Sequence, residues 1–294
     1  MKKKNKFITI LMIAMMIASL LMGCAKNDIA SDKGKTETSS DFKADKDITV
    51  VARDSASGTR GAFHELMKIK VKEGDKEVDK LVVGALEFDG TDKVITAVEG
   101  DEYSIGYISL GSVSDRIQAA KVDGIEPTID NVKGGKYKVA RPFLLVTKGT
   151  ENELVKDFLS FTSSKQGQEI VEKKHYISSV ENTTDYKPSN MSGTIKVAGS
   201  TSVTPLMEIL QEEYKKFNPN VKFEMQSNGS SQGIKATIDG TYDIGMSSRN
   251  LKDDEKSQLN EHTLAIDGIA VIWNKENPTK DLSSENITTI YTVE

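Results

Sequence analysis

Short apolar runs rich in β-branched residues alternate with helical patterns along most of this chain, and this alternation restricts the fold more than any other feature. The run ITVVAR at 48–53 leads through a Ser/Gly loop into the helical pattern AFHELMKI at 62–69. The run TIKVAGS at 194–200 leads into TSVTPLMEILQEEYKKF, and VKFEMQSN at 221–228 leads into GSSQGIKATIDG. Strands that alternate with helices predict an α/β fold with mostly parallel sheets.

Further segments fit the same fold class. SIGYISLG at 104–111 and RPFLLVTKG at 141–149 are predicted strands, and residues 151–176 contain two amphipathic helical segments. LAIDGIAVIWNK at 264–275 predicts a strand pair or one long strand, and SSENITTIYTVE at 283–294 predicts a short helix or turn. A length of 294 residues is enough for two compact lobes.

Four loops at predicted strand ends share one composition, rich in Ser, Thr and Gly: RDSASGTR (53–60), AGSTSVTP (198–205), SNGSSQGIK (227–235) and DIGMSSR (243–249). Three of these oxyanion loops lead into a helix, whose free N–H groups and partial positive charge favour an anion. Hydroxyls add donors, and an arginine fork matches a tetrahedral oxyanion. Each loop alone is more typical of helix caps and turns than of a binding site. Together they predict one cleft, because ligands of open α/β sheets bind at the carboxyl ends of strands.

Several other functions are disfavoured by composition and spacing. A net charge of −5 without a basic stripe argues against nucleic acid as a partner. His64, His175 and His262 show no metal-ligand spacing, and each is expected on the surface or along a helix. Ser57 lacks the G-x-S-x-G setting of a nucleophile, and GSSQG lacks the Lys-Ser/Thr ending of a Walker A loop. We therefore expect a binding protein rather than an enzyme, with no cofactor and no metal.

The N-terminus predicts export. Basic residues precede an apolar run from Phe7 to Met22, which is typical of a secretory signal at 1–23; a spanning anchor helix is the alternative. Leu21-Met22-Gly23-Cys24 resembles the lipobox of bacterial lipoproteins, which implies lipidation at Cys24, the only cysteine. Residues 24–47 are polar and predict a flexible tether. The protein is thus expected on the extracytoplasmic face of the cell membrane, in contact with it through the lipid anchor only.

The stretches ARDSASGTRGAFHEL, GTIKVAGSTSVTPL, SNGSSQGIKATIDGTYDIGMSSRNLKDDEK and LAIDGIAVIWNKENP resemble the phosphate-binding proteins of bacterial phosphate ABC importers, the PstS family. Together with SIGYISLG and RPFLLVTKG they cover most of 48–294. The resemblance implies a two-lobed periplasmic-binding-protein-like fold of type II with the ligand cleft between the lobes. It also implies inorganic phosphate as ligand, ABC permease subunits as partners and a monomeric state.

The order of these segments is reversed relative to the order expected of the family, which predicts a circular permutation; a fragment of a longer, duplicated protein is the alternative. The expected division is a segment resembling the family's C-terminal half at 48–180, a linker at 181–193 and a segment resembling its N-terminal half at 194–294. Lobe one would then comprise about 137–265, and lobe two about 48–136 plus 266–294.

The resemblance also implies the residues that contact phosphate. They are Arg53, Ser57, Gly58 and Thr59 from one lobe, and Thr201, Ser202, Ser230 and Ser248 from the other. Arg60 and Arg249 are expected either as charges just behind these contacts or as surface ion-pair residues.

Ser248 departs from family members that carry an aspartate there, which accepts a proton from phosphate and so excludes sulfate. Rejection of sulfate would then need another acceptor or be weaker; Asp54 directly after Arg53, and Ala56 in place of the usual glycine, are further departures. Two other functions stay open at this point. One is an extracytoplasmic phosphoester hydrolase that uses the same loops, and the other is a truncated or rearranged remnant that does not bind.

Overall fold

The computed structural model describes residues 42–74 and 76–292. The predicted signal at 1–23, Cys24 and most of the predicted tether lie outside the described residues. Within the described ranges, no helix is both long and apolar enough to cross a membrane.

The strands follow the predicted apolar runs, with several short additions. They are β1 Thr49–Arg53, β2 Lys70–Glu73, β3 Lys76–Asp79, β4 Leu86–Phe88, β5 Ser104–Ser109, β6 Gln118–Ala119, β7 Lys121–Val122, β8 Ala140–Thr147, β9 Ile177–Ser178, β10 Ser192–Gly199, β11 Asn220–Ser227, β12 Ile244–Ser247, β13 Asn260–Trp273 and β14 Asp281–Leu282. The run at 264–275 therefore belongs to one long strand, β13.

The helices are α1 Gly58–Leu66, α2 Thr91–Glu99, α3 Ile129–Lys133, α4 Glu153–Ser163, α5 Lys165–Lys173, α6 Thr204–Phe217, α7 Ser230–Ile238, α8 Asp253–Lys256 and α9 Ser284–Tyr291. Helix α1 begins four residues before the predicted pattern at 62–69, because the Ser57 side chain accepts a hydrogen bond from the backbone N–H of Arg60 and caps it. The hairpin of β2 and β3 and helix α2 were not predicted. The hairpin is short and mostly charged, so no apolar alternation marks it.

The main sheet has the strand order β11-β10-β12-β8-β13-β5-β1-β4. Strands β10, β11 and β12 are parallel at one end, and β1, β4 and β5 are parallel at the other. The central strands β8 and β13 are antiparallel to each other and to their neighbours β12 and β5. The sheet is thus mixed, with parallel strands confined to its two ends.

Two hydrophobic cores divide the molecule. The first core lies around β8, β10 and β12, with helices α4 and α6 on one face and α7 on the other. The second core lies around β1, β5 and the later half of β13, with α1 and α9 on one face and α2 on the other. Strand β13 contributes Ala265 to the first core and Ile269 to the second, so it passes from one to the other. The result is a two-lobed α/β fold joined through its central strands.

The segment at 181–193 lacks regular structure up to Met191, and β10 begins at Ser192. Its polar composition gives no sign of the contacts made by Tyr186, which is buried in the first core. The Tyr186 hydroxyl donates to Asp157 Oδ2 at 2.5 Å and accepts from Asn218 Nδ2 at 2.8 Å. The side chain thereby fixes this segment to α4 and to the end of α6.

Candidate functional site

The oxyanion loops converge because the strands that precede them end where the two cores meet. Gly199 at the end of β10 pairs in register with Ser227 of β11 and with Met246 of β12. The three loops of the first core therefore emerge side by side at the carboxyl ends of parallel strands, where ligands bind in such sheets. The fourth loop, 53–60, follows β1 of the second core and faces them. We call the junction between them the cleft.

On the first-core side, hydroxyl groups surround Ser248 at the end of β12. The Ser248 backbone N–H donates to Ser230 Oγ at 3.1 Å, and the Ser200 hydroxyl donates to Ser248 Oγ at 2.9 Å. Ser230 Oγ and Ser248 Oγ are 3.3 Å apart. Ser230 is the first residue of α7, so this cluster of hydroxyls lies at a helix N-terminus.

The two cores make polar contacts across the cleft. Thr59 Oγ1 and Ser202 Oγ are 2.9 Å apart, and Arg53 Nη2 donates to Thr201 Oγ1 at 2.8 Å. The backbone N–H of Ser231 donates to the carbonyl of Ala56 at 3.0 Å. The cleft is thus closed, and predicted contact residues of the loop 53–60 touch predicted contact residues of the loop 198–205.

Gly58 lies against the first core more closely than any side chain would permit. A Cβ atom placed on Gly58 would lie 2.3 Å from Ser230 Oγ and 2.8 Å from Ser248 Oγ. Both distances are far below van der Waals contact. Closure of the cleft therefore requires glycine at this position, and Gly58 lies next to two of the predicted contact residues.

Arg53 brings a positive charge into the cleft. It is 2% exposed, and its guanidinium donates to the carbonyls of Phe88 and Asp89 and to the hydroxyls of Thr91 and Thr201. Burial lowers the pKa of Arg53, although a guanidinium stays protonated in proteins. A buried positive charge among hydroxyl donors favours a bound anion.

The other predicted residues, Ser57, Arg60 and Arg249, form hydrogen bonds or ion pairs within the protein. Ser57 is buried and caps α1. Arg60 forms ion pairs with Asp79 and Glu87 and donates to the Arg53 carbonyl at 2.9 Å. Arg249 forms a bidentate ion pair with Glu255, at 2.7 and 2.8 Å, and reaches Ser231 Oγ at 3.4 Å. Both arginines lie directly behind the cleft and are held by carboxylates.

Thr91 and Ser200 belong to the same cluster and were missed from sequence. Thr91 Oγ1 lies 3.4 Å from Thr201 Oγ1 and 3.5 Å from Ser202 Oγ. It also lines an open groove of about 420 Å³ with Thr201 and Ser227. Thr91 begins α2 just after β4, which is parallel to β1. The sequence signal was therefore present, since Gly90-Thr91 repeats the strand-loop-helix pattern in a shorter form.

A buried ion pair lies beneath the cleft. Arg141 of β8 donates from Nε and Nη2 to Asp267 Oδ2 of β13 at 3.2 and 3.0 Å. Arg141 also donates to the Ser248 carbonyl at 3.2 Å, and the Ser109 hydroxyl at the end of β5 donates to Asp267 Oδ1 at 2.8 Å. The pair thus connects both cores at the point where β8 and β13 join them. Burial raises the pKa of Asp267 to about 6, against the opposing effect of Arg141.

Asp54 has an acceptor without a partner among the described residues. Its Oδ1 atom is buried and receives no hydrogen bond. Burial raises the pKa of Asp54, against the lowering effect of Arg53 beside it. A buried carboxylate oxygen without a donor is costly, so a donor from a ligand would stabilise it.

Comparison with known proteins agrees with this fold. Residues 26–166 and 184–294 match the PBP superfamily domain, the fold class of two-lobed binding proteins. The phosphate-binding protein PstS 2 of Streptococcus agalactiae is 41% identical over 295 residues, which is 99% of this chain and 96% of that protein. A crystal structure of a phosphate-binding protein from Streptococcus pneumoniae TIGR4 is 42% identical and superposes with a TM-score of 0.68, covering 84% of this chain and 96% of the other. The chain therefore belongs to the PstS family.

The comparisons also bear on segment order. Because the alignment with the S. agalactiae protein runs along nearly all of both chains, the order of segments here is also the order in that relative. The phosphate-binding protein PstS of Pseudomonas aeruginosa, in contrast, is 33% identical over 113 residues, or 36% of this chain. The reversal expected from the resemblance stays a prediction.

Proposed function

We propose that the protein is the extracytoplasmic solute-binding protein of a phosphate ABC importer, which binds inorganic phosphate in the cleft and delivers it to the permease subunits. One observation carries the proposal. Hydroxyls, helix N-termini and the buried Arg53 from two separate cores meet at one place, with no apolar side chain between the pairs that touch. Such a surface suits a small, multiply charged oxyanion.

The proposed contacts are those of the predicted residues, together with Thr91 and Ser200. Ser230 and Gly58 begin α7 and α1, and the N–H groups of Gly58, Thr59 and Ser230 would donate to the anion. The next N–H groups are already engaged, that of Arg60 by Ser57 Oγ and that of Ser231 by the Ala56 carbonyl. The arginine supplies the charge, and the hydroxyls supply donors that can rotate toward each oxygen. A net negative chain is compatible with this role, because distant charges are screened by salt while the buried Arg53 is not.

We further propose that Asp54 selects protonated phosphate over sulfate. Ser248 cannot accept a proton as a carboxylate does, whereas the free Oδ1 of Asp54 can accept one from a phosphate O–H. Sulfate at neutral pH has no proton to donate, so the same oxygen would repel it. Asp54→Asn is expected to reduce the ratio of phosphate to sulfate affinity at least tenfold, the effect of about 1.4 kcal/mol. An unchanged ratio would assign selectivity to another group.

The cellular location of the protein and its division into lobes form part of the same proposal. Lipid on Cys24 would hold a monomer at the membrane through the tether 24–47, after removal of 1–23. Lobe one would comprise about 137–265 and lobe two about 48–136 plus 266–294, with 181–193 joining the two halves. Mass spectrometry of the membrane fraction would detect the lipid on Cys24, and its loss in Cys24→Ala would release the protein.

Calorimetric titration of phosphate into a soluble form that begins after Cys24 tests the main proposal. We expect one phosphate per chain, and a loss of at least about 100-fold in affinity for Arg53→Ala, since hydrogen bonds to charged groups contribute about 1.5 to 3 kcal/mol each. Arg116→Ala is the matched control, because that guanidinium is exposed and pairs with Glu99 on the outer surface. A folded parent protein that releases no heat with phosphate would reject the proposal.

A further inference from the structure

Arg53 is held by its backbone as well as by its side chain. Strand β1 pairs with β5 only at Thr49 and Val50, so the ladder on that side stops before Arg53. The hydroxyl of Tyr107 takes the place of the missing partner and accepts from the Arg53 N–H at 3.2 Å. On the other side of the residue, Arg60 Nη1 donates to the Arg53 carbonyl at 2.9 Å. Side chains therefore fix both peptide groups that flank the proposed phosphate ligand.

Both of these side chains lead to one carboxylate, Asp79, at the end of β3. Tyr107 Oη lies 3.2 Å from His64 Nε2, and His64 Nδ1 lies 3.0 and 3.1 Å from the two carboxylate oxygens of Asp79. Arg60 Nε donates to Asp79 Oδ2 at 3.0 Å. The remaining contact of this carboxylate is the backbone N–H of Leu81, at 3.2 Å from Oδ1. Asp79 thus reaches the Arg53 N–H by one route and the Arg53 carbonyl by the other.

Hydrogen-bond chemistry fixes the direction of the first route. Tyr107 accepts from the Arg53 N–H and so has its own proton to donate, and His64 Nε2 is the acceptor within reach. His64 must then carry its proton on Nδ1, which donates to Asp79. Burial lowers the pKa of His64 to about 4, so the ring is neutral at neutral pH and can act in both roles. Only this tautomer satisfies every group in the series.

Packing keeps the series rigid. The His64 side chain is fully buried, and the Tyr107 ring stacks on Phe63 with centroids 4.1 Å apart. Tyr291 of α9 packs against the same rings. Asp79, in contrast, is 31% exposed at its side chain and lies on the hairpin of β2 and β3, away from the cleft. A group at the outer surface is therefore connected to the cleft by short contacts through an ordered interior.

We propose that Asp79 is a positioning residue for phosphate binding, which acts through His64 and Tyr107 on the N–H of Arg53 and through Arg60 on its carbonyl. The proposal rests on the function proposed above, since it concerns how Arg53 is aimed. It differs from a purely structural role because it requires one histidine tautomer and coupling between Asp79 and Tyr107. Loss of either group would let the Arg53 backbone move without removing any group that touches phosphate.

Titration of phosphate into Tyr107→Phe, Asp79→Asn and the double variant tests the proposal. Tyr107→Phe preserves the ring and removes only the hydroxyl, and we expect about tenfold weaker binding, the usual effect of one lost hydrogen bond. Asp79→Asn affects both routes and is expected to weaken binding by at least this factor. The double variant should be weakened by less than the product of the two single effects, because the groups act in series. Glu77→Gln is the matched control, since it removes an exposed carboxylate of the same hairpin, and its affinity should be unchanged.

Nitrogen NMR of the parent protein provides a readout independent of phosphate. We expect His64 to show a protonated Nδ1 and an unprotonated Nε2 at neutral pH. The opposite tautomer would overturn the proposal, as would parental affinity in both single variants or fully additive effects in the double variant. If the parent protein itself does not bind phosphate, the proposed function fails, while the tautomer still tests the hydrogen-bond series. Denaturant unfolding of each variant separates weaker binding from loss of the folded state.

Discussion

Gly58 sets the closest approach between the two sides of the cleft. Its backbone is not in the left-handed region, so alanine there is strained only when the cleft closes on Ser230 and Ser248. We expect Gly58→Ala to fold with nearly parental stability and to lose most phosphate affinity, by at least about tenfold, because overpacking typically costs about 1 to 3 kcal/mol. X-ray scattering should then show no phosphate-dependent compaction. Gly100→Ala at the end of α2, where a Cβ meets its nearest atom at 3.4 Å, is the control.

His64 makes stability depend on pH. Its pKa is lowered by burial from 6.5 to about 4, with Asp79, Arg60, Glu87 and Tyr107 as the charged or titratable groups around it. The unfolded chain therefore takes up a proton below about pH 6.5 that the folded chain refuses until about pH 4. Stability from this group is complete above pH 6.5 and is lost as the pH falls. A pKa difference of about 2.5, at about 1.4 kcal/mol per pH unit, gives about 3.5 kcal/mol.

Urea unfolding between pH 7 and pH 4 measures this effect. The free energy of unfolding of the parent should fall over that interval more steeply than that of His64→Gln, which cannot titrate. Carboxylates such as Glu151, whose pKa is lowered to about 2 by the hydrogen bond from Thr147, add to the slope in both proteins. Equal slopes in the two proteins would show that His64 titrates normally in the folded chain.

At the scale of the elements, Tyr186 is the residue of the segment 181–193 whose ring lies inside the first core. Tyr186 packs edge-on against Phe161 and Phe217, with centroids 5.2 and 5.4 Å away, besides its hydrogen bonds to Asp157 and Asn218. Tyr186→Ala should destabilise the protein by about 3 to 5 kcal/mol, the usual cost of removing a buried aromatic ring. The phosphate affinity of the folded variant should stay within twofold of the parent value, because no cleft residue contacts this ring. Thermal unfolding and calorimetry together distinguish the two quantities.

The elements that could be predicted from sequence are those whose apolar residues follow a clear period. Strands β1, β8 and β10 and helices α4 to α7 were predicted on that basis. The hairpin of β2 and β3 could not be predicted, since its residues are mostly charged. Its proposed role could not be predicted either, because it depends on the contact between Asp79 and His64. The pairing of Arg141 with Asp267 was missed for a similar reason: the two lie 126 positions apart and meet only because β8 and β13 are adjacent. The local sequence pattern predicts secondary structure and loops, but it does not predict which charged side chains form ion pairs.

At the scale of the whole molecule, the ion pair of Arg141 and Asp267 lies where the two cores are joined. Asp267→Asn would leave Arg141 buried without its counter-charge, which typically costs about 3 to 5 kcal/mol. Glu99→Gln, which breaks an exposed pair with Arg116, should cost at most about 1 kcal/mol. Denaturant unfolding of the two variants compares them directly. Equal stabilities would mean that the interior around Arg141 is better solvated than its 3% exposure indicates.

The contacts across the cleft are made by Thr59 with Ser202, Arg53 with Thr201, and Ser231 with Ala56 through the backbone. All three contacts join polar groups, namely hydroxyls, a guanidinium and backbone amides. Burial of apolar surface is what gives association a large negative heat capacity change. Phosphate binding should therefore show a heat capacity change near zero. The enthalpy of binding would then be almost independent of temperature.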